Sequence, residues 1–166
     1  MVNSPFKWKW TPSDVDNDRI CILEKWALLN ITSWACEPLS RWTDGRSRIV
    51  TMNHSVRADF DKLWRLWEER ELLEEVKEHL FPRWSGGWVA RYKRGAPHDQ
   101  DPSHLSAHSS GHAFDLCAPD LPLGKRVPHD HVIRLLVPTA LECGWHWGGD
   151  WTRADPMHWQ HKTSPF

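Results

Sequence analysis

The sequence predicts an α+β fold. Three observations lead there: one long stretch with apolar residues at helical spacing, a few short stretches that read as strands, and no internal repeat, low-complexity tract or second domain in 166 residues. That length suits one domain, 1–166, able to bury a proper core.

In chain order, Lys7-Trp8-Lys9-Trp10 alternates basic and aromatic residues and reads as a short edge strand or a loose arm. Asp18 to Leu29 places Ile22, Leu23, Trp26 and Leu29 at helical spacing behind an acidic start, which predicts a helix. Leu39 to Arg48 is polar and turn-rich, with the turn at Asp44-Gly45, and Ile49 to Met52 reads as a short strand. The clearest helix runs from about Val56 to Leu80. Phe60, Leu63, Trp64, Trp67, Leu72, Leu73, Val76 and Leu80 form its apolar stripe, while Glu68, Glu69, Arg70, Glu74, Glu75 and Lys77 stay wet. Ser55 is its expected N-cap, and Pro82 helps to end it.

After Ser85-Gly86-Gly87, Trp88 to Tyr92 reads as a strand, and His112 to Cys117 as another. His129 to Cys143 looks helical, with Asp130 near its start. Pro138 donates no backbone hydrogen bond and must kink or divide it, and Gly144 closes it. Trp145 to Trp147 and Met157 to Gln160 are short strands separated by a Gly-rich turn.

Hydrophobic residues make up 40% and charged residues 26%, ordinary globular usage. A formal net charge of -1 gives no global field toward nucleic acid or an anionic membrane, so neither partner is expected, and a monomer is. Thirteen tryptophans read as a thick aromatic core ahead of a ring-stacking surface, because a buried Trp removes so much apolar area from water. The four cysteines contain no C-x-x-C pair, which argues against a thiolate zinc knuckle. Cys117 and Cys143 read as small core residues, while a Cys21–Cys36 bridge would require export. Met1 to Trp10 lacks the apolar run of a signal peptide, and no stretch approaches a transmembrane span. The expectation is a protein made in the cytoplasm that acts elsewhere only after release by another route.

Eleven histidines invite overreading. His54, His79, His98, His104 and His161 lie in polar segments and are expected at the surface; His129-Asp130-His131 is explained by capping of a helix start. The segment Ser106-Ala107-His108-Ser109-Ser110-Gly111-His112-Ala113-Phe114-Asp115 is different. Strand alternation puts Ala113, Asp115 and Cys117 on one face, with Phe114 and Leu116 on the core face. Asp115 then points into a cleft, and His108 can reach the same point from the approach loop. On one straight helix the two would lie roughly 10 Å apart, so a loop-then-strand geometry is required for joint ligation.

A second constellation is Trp145-His146-Trp147-Gly148-Gly149-Asp150-Trp151, followed by Asp155-Pro156-Met157-His158-Trp159. Pro156 sets a turn that can bring a carboxylate and an imidazole to one ion. Two His and one Asp leave a coordination position open, as in catalytic zinc, with Asp155 left over as a base. On the residues alone, His112 could ligate in place of His108, and iron could stand in place of zinc.

Ser106-x-His108-x-x-Gly111-x-Ala113-x-Asp115 resembles the S-x-H-x-x-G-x-A-x-D signature of the D-alanyl-D-alanine carboxypeptidase and L-alanyl-D-glutamate peptidase superfamily, the M15 peptidases. Gly144 to Trp151 and Asp155-x-x-His158 resemble the second half of that signature. The likeness covers about 49–160, leaving 1–48 as an N-terminal extension packed on the domain or partly mobile. It implies a hedgehog/DD-peptidase fold, in which helices flank a small antiparallel sheet that carries a zinc site, and activity on peptidoglycan stem peptides. It also implies Zn2+ ligands His108, Asp115 and His158, a catalytic acid/base at Asp155, a carbonyl-polarising arginine at Arg91 with Arg94 as competitor, and substrate contact by Ser106. Asp at position 155, where carboxypeptidase branches usually have Glu, tilts the expectation toward an L-alanyl-D-glutamate endopeptidase of phage or prophage endolysin type. The alternatives are a D-alanyl-D-alanine carboxypeptidase, a non-catalytic zinc module that binds wall or a partner, and an Fe(II) oxygenase, which would need a β-rich jelly roll.

Two departures stand out. Many relatives continue His-Phe-Glu where this chain has His158-Trp159-Gln160, and Ala96 to His104 is a long polar insertion that could rim the cleft. Asp150 could orient a ligand histidine or simply cap its turn, and Trp147 and Trp151 are expected to wall the cleft.

Overall fold

The computed structural model describes residues 9–13, 18–22 and 25–166. Lys7 and Trp8 of the expected N-terminal arm lie outside them. The first described element is an antiparallel hairpin of β1 (Trp10–Pro12) and β2 (Ile20–Ile22), with Trp10 opposite Ile22. Trp10 and Ile20 bury against Tyr92 and Leu105, forming a small core of their own. The helix expected over Asp18 to Leu29 is therefore absent from the described residues 18–22, and Leu23 lies outside the described residues. Ile20 and Ile22 instead alternate in a strand, and helix α1 is only Trp26–Asn30. Leu28 and Leu29 are 82% and 74% exposed, so their helical spacing marks no buried face.

Strand β3 (Ile31–Ala35) pairs antiparallel with β4 (Ile49–Asn53). Between them lies α2 (Glu37–Trp42), in a segment whose polar composition predicts only turns. Leu39 and Trp42 alone anchor it, both buried, and Pro38 sits in its first turn, where a missing N–H costs nothing. The turn at Asp44-Gly45 is present, with φ of 52° and 74°.

The long helix expected from Val56 to Leu80 is two helices, α3 (Arg57–Glu69) and α4 (Leu72–His79). Glu71 takes a left-handed conformation with φ 60° and turns the chain so that Leu73 and Val76 reach the core. There the Trp42 indole N–H donates to the Leu73 carbonyl at 3.0 Å. The cap lies earlier than Ser55: the Asn53 side chain accepts from the Ser55 N–H at 3.0 Å, above a 3-10 turn at His54–Val56.

The main sheet is antiparallel. It comprises β5 (Trp84–Gly86), β6 (Ala113–Leu116), β7 (Trp145–Trp147) and β8 (His158–His161), in the spatial order β5-β6-β8-β7. The strand expected at Trp88 to Tyr92 is displaced to Trp84–Gly86, leaving isolated bridges at Arg91 and Tyr92. Gly87 explains the shift: a Cβ there would lie 2.7 Å from the Thr51 carbonyl oxygen, so the chain passes against β4 at this point. In β6, Phe114 and Leu116 face the core as expected. Cys117 does not continue the face of Asp115, because its φ of 52° ends the pleat and buries the thiol. Pro138 does divide the C-terminal helical stretch, into a 3-10 segment Val132–Leu136 and α5 (Val137–Glu142), with Pro138 in the first turn of α5. The start is capped by the His131 side chain rather than Asp130, accepting from the Ile133 N–H at 3.3 Å.

Phe114 is the centre of the core. Its ring lies 5.0 to 6.4 Å from those of Phe60, Trp67, Trp84, Trp145 and Trp159. Trp42, Trp64, Trp67, Trp145 and Trp159 are fully buried, so these indoles are core. Cys143 is buried with Cys117, and all four thiols are free, Cys21 exposed and Cys36 buried. Among the described residues no helix is long and apolar enough to cross a membrane.

Candidate metal centre

Sheet register builds the site. Asp115 on β6 stands directly opposite His158 on β8, so their side chains leave the same face within reach of each other. His108 comes from a 3-10 turn, Ala107–Ser110, that Ser106 opens and Gly111 closes. Gly111 has φ 72°, and a Cβ there would lie 2.5 Å from the Asn53 nitrogen, so only glycine lets the turn press against β4.

Three atoms converge. His108 Nε2 is 3.1 Å from Asp115 Oδ1 and 3.2 Å from His158 Nδ1, and His158 Nδ1 is 3.1 Å from Asp115 Oδ1. This trio could hold a metal ion. Ligand atoms about 2.05 Å from a tetrahedral zinc lie roughly 3.3 Å apart, close to the spacing of this triangle. The donor chemistry also fits. His108 Nδ1–H donates to the Gly87 carbonyl at 2.6 Å, which leaves the Nε2 lone pair facing the trio. The Gln160 amide donates to the Phe166 backbone oxygen at 2.7 Å, which turns its own oxygen toward His158 Nε2–H at 3.4 Å. Gln160 thus presents an acceptor to His158. Burial alone would raise the Asp115 carboxyl, but the charges and hydrogen bonds of His108 and His158 outweigh it. They hold Asp115 well below the usual carboxylate range.

Asp155 sits beside the trio without joining it. Its N–H donates to the Gly148 carbonyl and its carbonyl accepts from the His158 N–H, at 2.9 and 3.0 Å, which closes the turn into β8. A Cβ on Gly148 would lie 2.7 Å from the Asp155 oxygen. Oδ1 of Asp155 is buried with no hydrogen-bond partner, and burial raises the carboxyl's pKa against the lowering pull of the neighbouring imidazoles.

Two cavities meet here, sharing Arg91, Arg94 and Asp115. One, of about 200 Å³, is walled by Ser106, Leu123, Trp151, Arg153, Asp155 and Gln160 among others. The second, of about 280 Å³, runs past Ser85, Gly86, Val89 and Arg19. The Arg91 backbone is pinned by the Ser109 hydroxyl at 2.9 Å, and its guanidinium donates to the Tyr92 carbonyl at 3.2 Å. Ser106 lines the cleft, and its hydroxyl accepts from the His108 N–H at 3.4 Å.

Several expectations change. His112 is turned away: its Nδ1 faces Ser110 and its Nε2 faces the Ser55 hydroxyl at 3.5 Å, so it does not compete with His108. His161 is buried rather than at the surface, between Asp59 and Thr163. Asp150 orients no ligand; both its oxygens bind Arg134, whose guanidinium lies over the Trp147 ring. Trp147 is buried and only Trp151 walls the cleft. None of residues 96–104 lines either cavity; that insertion folds onto Tyr92 and β1, through Tyr92 Oη to the Asp99 carbonyl and Gln100 to the Trp10 carbonyl. The Gly87 carbonyl was invisible in the sequence. Gln160 carried a usable signal, since two residues along a strand from His158 share its face.

His112 gives the fold a measurable acid sensitivity. Burial brings its pKa from 6.5 to about 4. The unfolded chain takes up this proton below pH 6.5 and the folded chain only below about 4. Stability is therefore complete above pH 6.5 and declines by about 3 kcal/mol as pH falls to 4. Urea unfolding of the metal-free protein across that range should show the decline, and His112→Gln should flatten it relative to the parent. Equal slopes in the two proteins would assign the sensitivity elsewhere.

Residues 99–161 match a family model described as D-alanyl-D-alanine carboxypeptidase, a stretch that includes all three converging residues and Asp155. No curated protein matches the chain.

Proposed function

With residues 99–161 belonging to the M15 peptidase family, we propose that the protein is a zinc-dependent peptidoglycan endopeptidase that cuts the L-alanyl–D-glutamate bond of stem peptides, working as an endolysin-type enzyme at the bacterial cell wall. The observation that carries the endopeptidase reading is the pair of cavities that share Arg91, Arg94 and Asp115 at the candidate metal site. A carboxypeptidase needs room for only one terminal residue beyond the scissile bond. The family description favours that second reading, a D-alanyl-D-alanine carboxypeptidase.

His108, Asp115 and His158 would hold a zinc ion, which would supply a Lewis acid for making water nucleophilic near neutral pH. Asp155, with a buried oxygen free of internal partners, takes the proton from the attacking water and returns it to the leaving nitrogen. Its raised pKa suits both halves of that task. Arg91, fixed through its backbone and half-buried, faces the developing oxyanion with a charge that needs no rearrangement. Ser106 holds the His108 turn and presents its hydroxyl to the cleft. A non-catalytic zinc module would have no use for an uncommitted buried carboxylate at Asp155.

Digestion of purified peptidoglycan, followed by mass spectrometry of the fragments, tests the reading. The expected products carry new Glu amino termini, vanish with a chelator and return with zinc. Released D-Ala without new Glu termini would replace the reading with the carboxypeptidase one.

A further inference from the structure

Many of the cations outside the cleft are paired with carboxylates. Arg41, Arg46, Arg48, Arg57, Arg70 and Arg134 each lie between 2.7 and 3.6 Å from a carboxylate. Among the described residues, Arg91, Lys93, Arg94 and Arg153 line the same cavity and none has a carboxylate at ion-pair distance. Their side-chain bonds go to backbone carbonyls: Arg91 to Tyr92, Lys93 to Ser103 at 2.8 Å, and Arg153 to Arg94 at 3.1 Å. The last of these draws the Arg153 guanidinium against the backbone of Arg94 and concentrates the charge. Burial lowers the Arg91 pKa; the charge of Asp115 offsets part of that, and the charge of Arg94 adds to it. Of the acids that line the two cavities, Asp115 contacts two imidazoles and Asp18 lies 3.3 Å from His98, while Asp155 is at ion-pair distance from none of these cations among the described residues. Leu123, Trp151 and Met157, which also line the cavity, carry no charge. A one-sided cluster of unpaired guanidinium groups in a cleft is relieved by a carboxylate, which it can bind in fork geometry.

Resting on the peptidase reading above, we propose that Arg94 and Arg153, backed by Lys93, form a carboxylate subsite that selects stem peptides with a free α-carboxylate on the residue contributing the scissile nitrogen. In the L-Ala–D-Glu junction the chain continues through the γ-carboxyl of D-Glu. Its α-carboxylate therefore hangs two bonds from the scissile nitrogen, beside the metal ligands, where Arg94 borders both cavities. The enzyme discriminates against stems in which that group is amidated.

The test uses the zinc-loaded full chain with a synthetic L-Ala-γ-D-Glu-L-Lys peptide and its α-amide. The acid should be cut with kcat/KM about 10- to 100-fold above the amide. Arg94→Gln combined with Arg153→Gln should bring the ratio to within about twofold, mainly through KM on the acid. Calorimetric binding of both peptides to the zinc-loaded Asp155→Asn protein should show the same preference without turnover. Equal treatment of acid and amide by the parent protein, or a preference that survives the double substitution, overturns the subsite. If neither peptide is cut at the L-Ala–D-Glu bond, the endopeptidase reading fails, and the calorimetric preference alone then decides for or against the subsite.

Discussion

Asp155→Asn should lower kcat by about 10²- to 10⁴-fold while leaving the bound zinc in place. The replacement is isosteric, and the neighbouring turn is held by backbone bonds, from Asp155 N–H to the Gly148 carbonyl and from His158 N–H to the Asp155 carbonyl. The fold therefore has little reason to respond. The buried Oδ1 makes no internal hydrogen bond that an amide would break, and burial already penalises the charged form, so thermal stability should hold or rise slightly. What is lost is the ability to accept a proton at that spot. Stem-peptide turnover and metal content, measured on the same preparation, separate the two roles. Hydrolysis within about tenfold of the parent would remove Asp155 from the chemistry.

Asp115→Ala should fail differently, losing the metal and the activity together. The carboxylate is the one anionic group of the trio, and it also contacts both imidazoles, at 3.1 Å to each. Structural zinc sites bind with about 10–16 kcal/mol, so one ligand in four carries ~3–4 kcal/mol, on the order of 10²- to 10³-fold in affinity. Zinc titration followed by thermal melting reads this directly. The parent's melting temperature should climb with added zinc, while the variant's should move only at much higher concentrations. A variant that kept parental zinc affinity would exclude Asp115 as a ligand. Together with Asp155→Asn, the pair distinguishes holding the metal from using it.

How much of this was legible depended on how local the information was. His108 and Asp115 stand seven residues apart in one motif, and turn chemistry around Pro156 and Gly148 is written in adjacent residues. Strand alternation correctly put Phe114 in the core and Asp115 out of it. The pairing of Asp115 with His158 was not legible from pattern alone, because the register depends on the whole sheet. Nor was the break at Glu71, where a left-handed residue without glycine is imposed by the packing of Leu73 and Val76. Helix α2 escaped notice because two buried side chains suffice when a tryptophan is one of them. The N-terminal segment misled for the opposite reason: Trp26 and Leu29 matched a helical period that Leu29, exposed to water, does not use. The unpaired charge of the cleft also escaped, since it is assembled from the loop at 91–94 and the distant Arg153.

The register between β6 and β8 has a consequence in time. His158 meets Asp115 across 43 residues of chain and His108 across 50, so no early, locally formed turn can supply a complete ligand set. Such long-range contacts close late, after their loop-closure entropy has been met. Even a one-residue slip of β8 would send its imidazole to the opposite face of the sheet. On the proposed reading, acquisition of the ion would thus be a proofreading step. A nascent or misregistered chain would then lack hydrolytic power, and the capacity to cut would arrive only with the last strand.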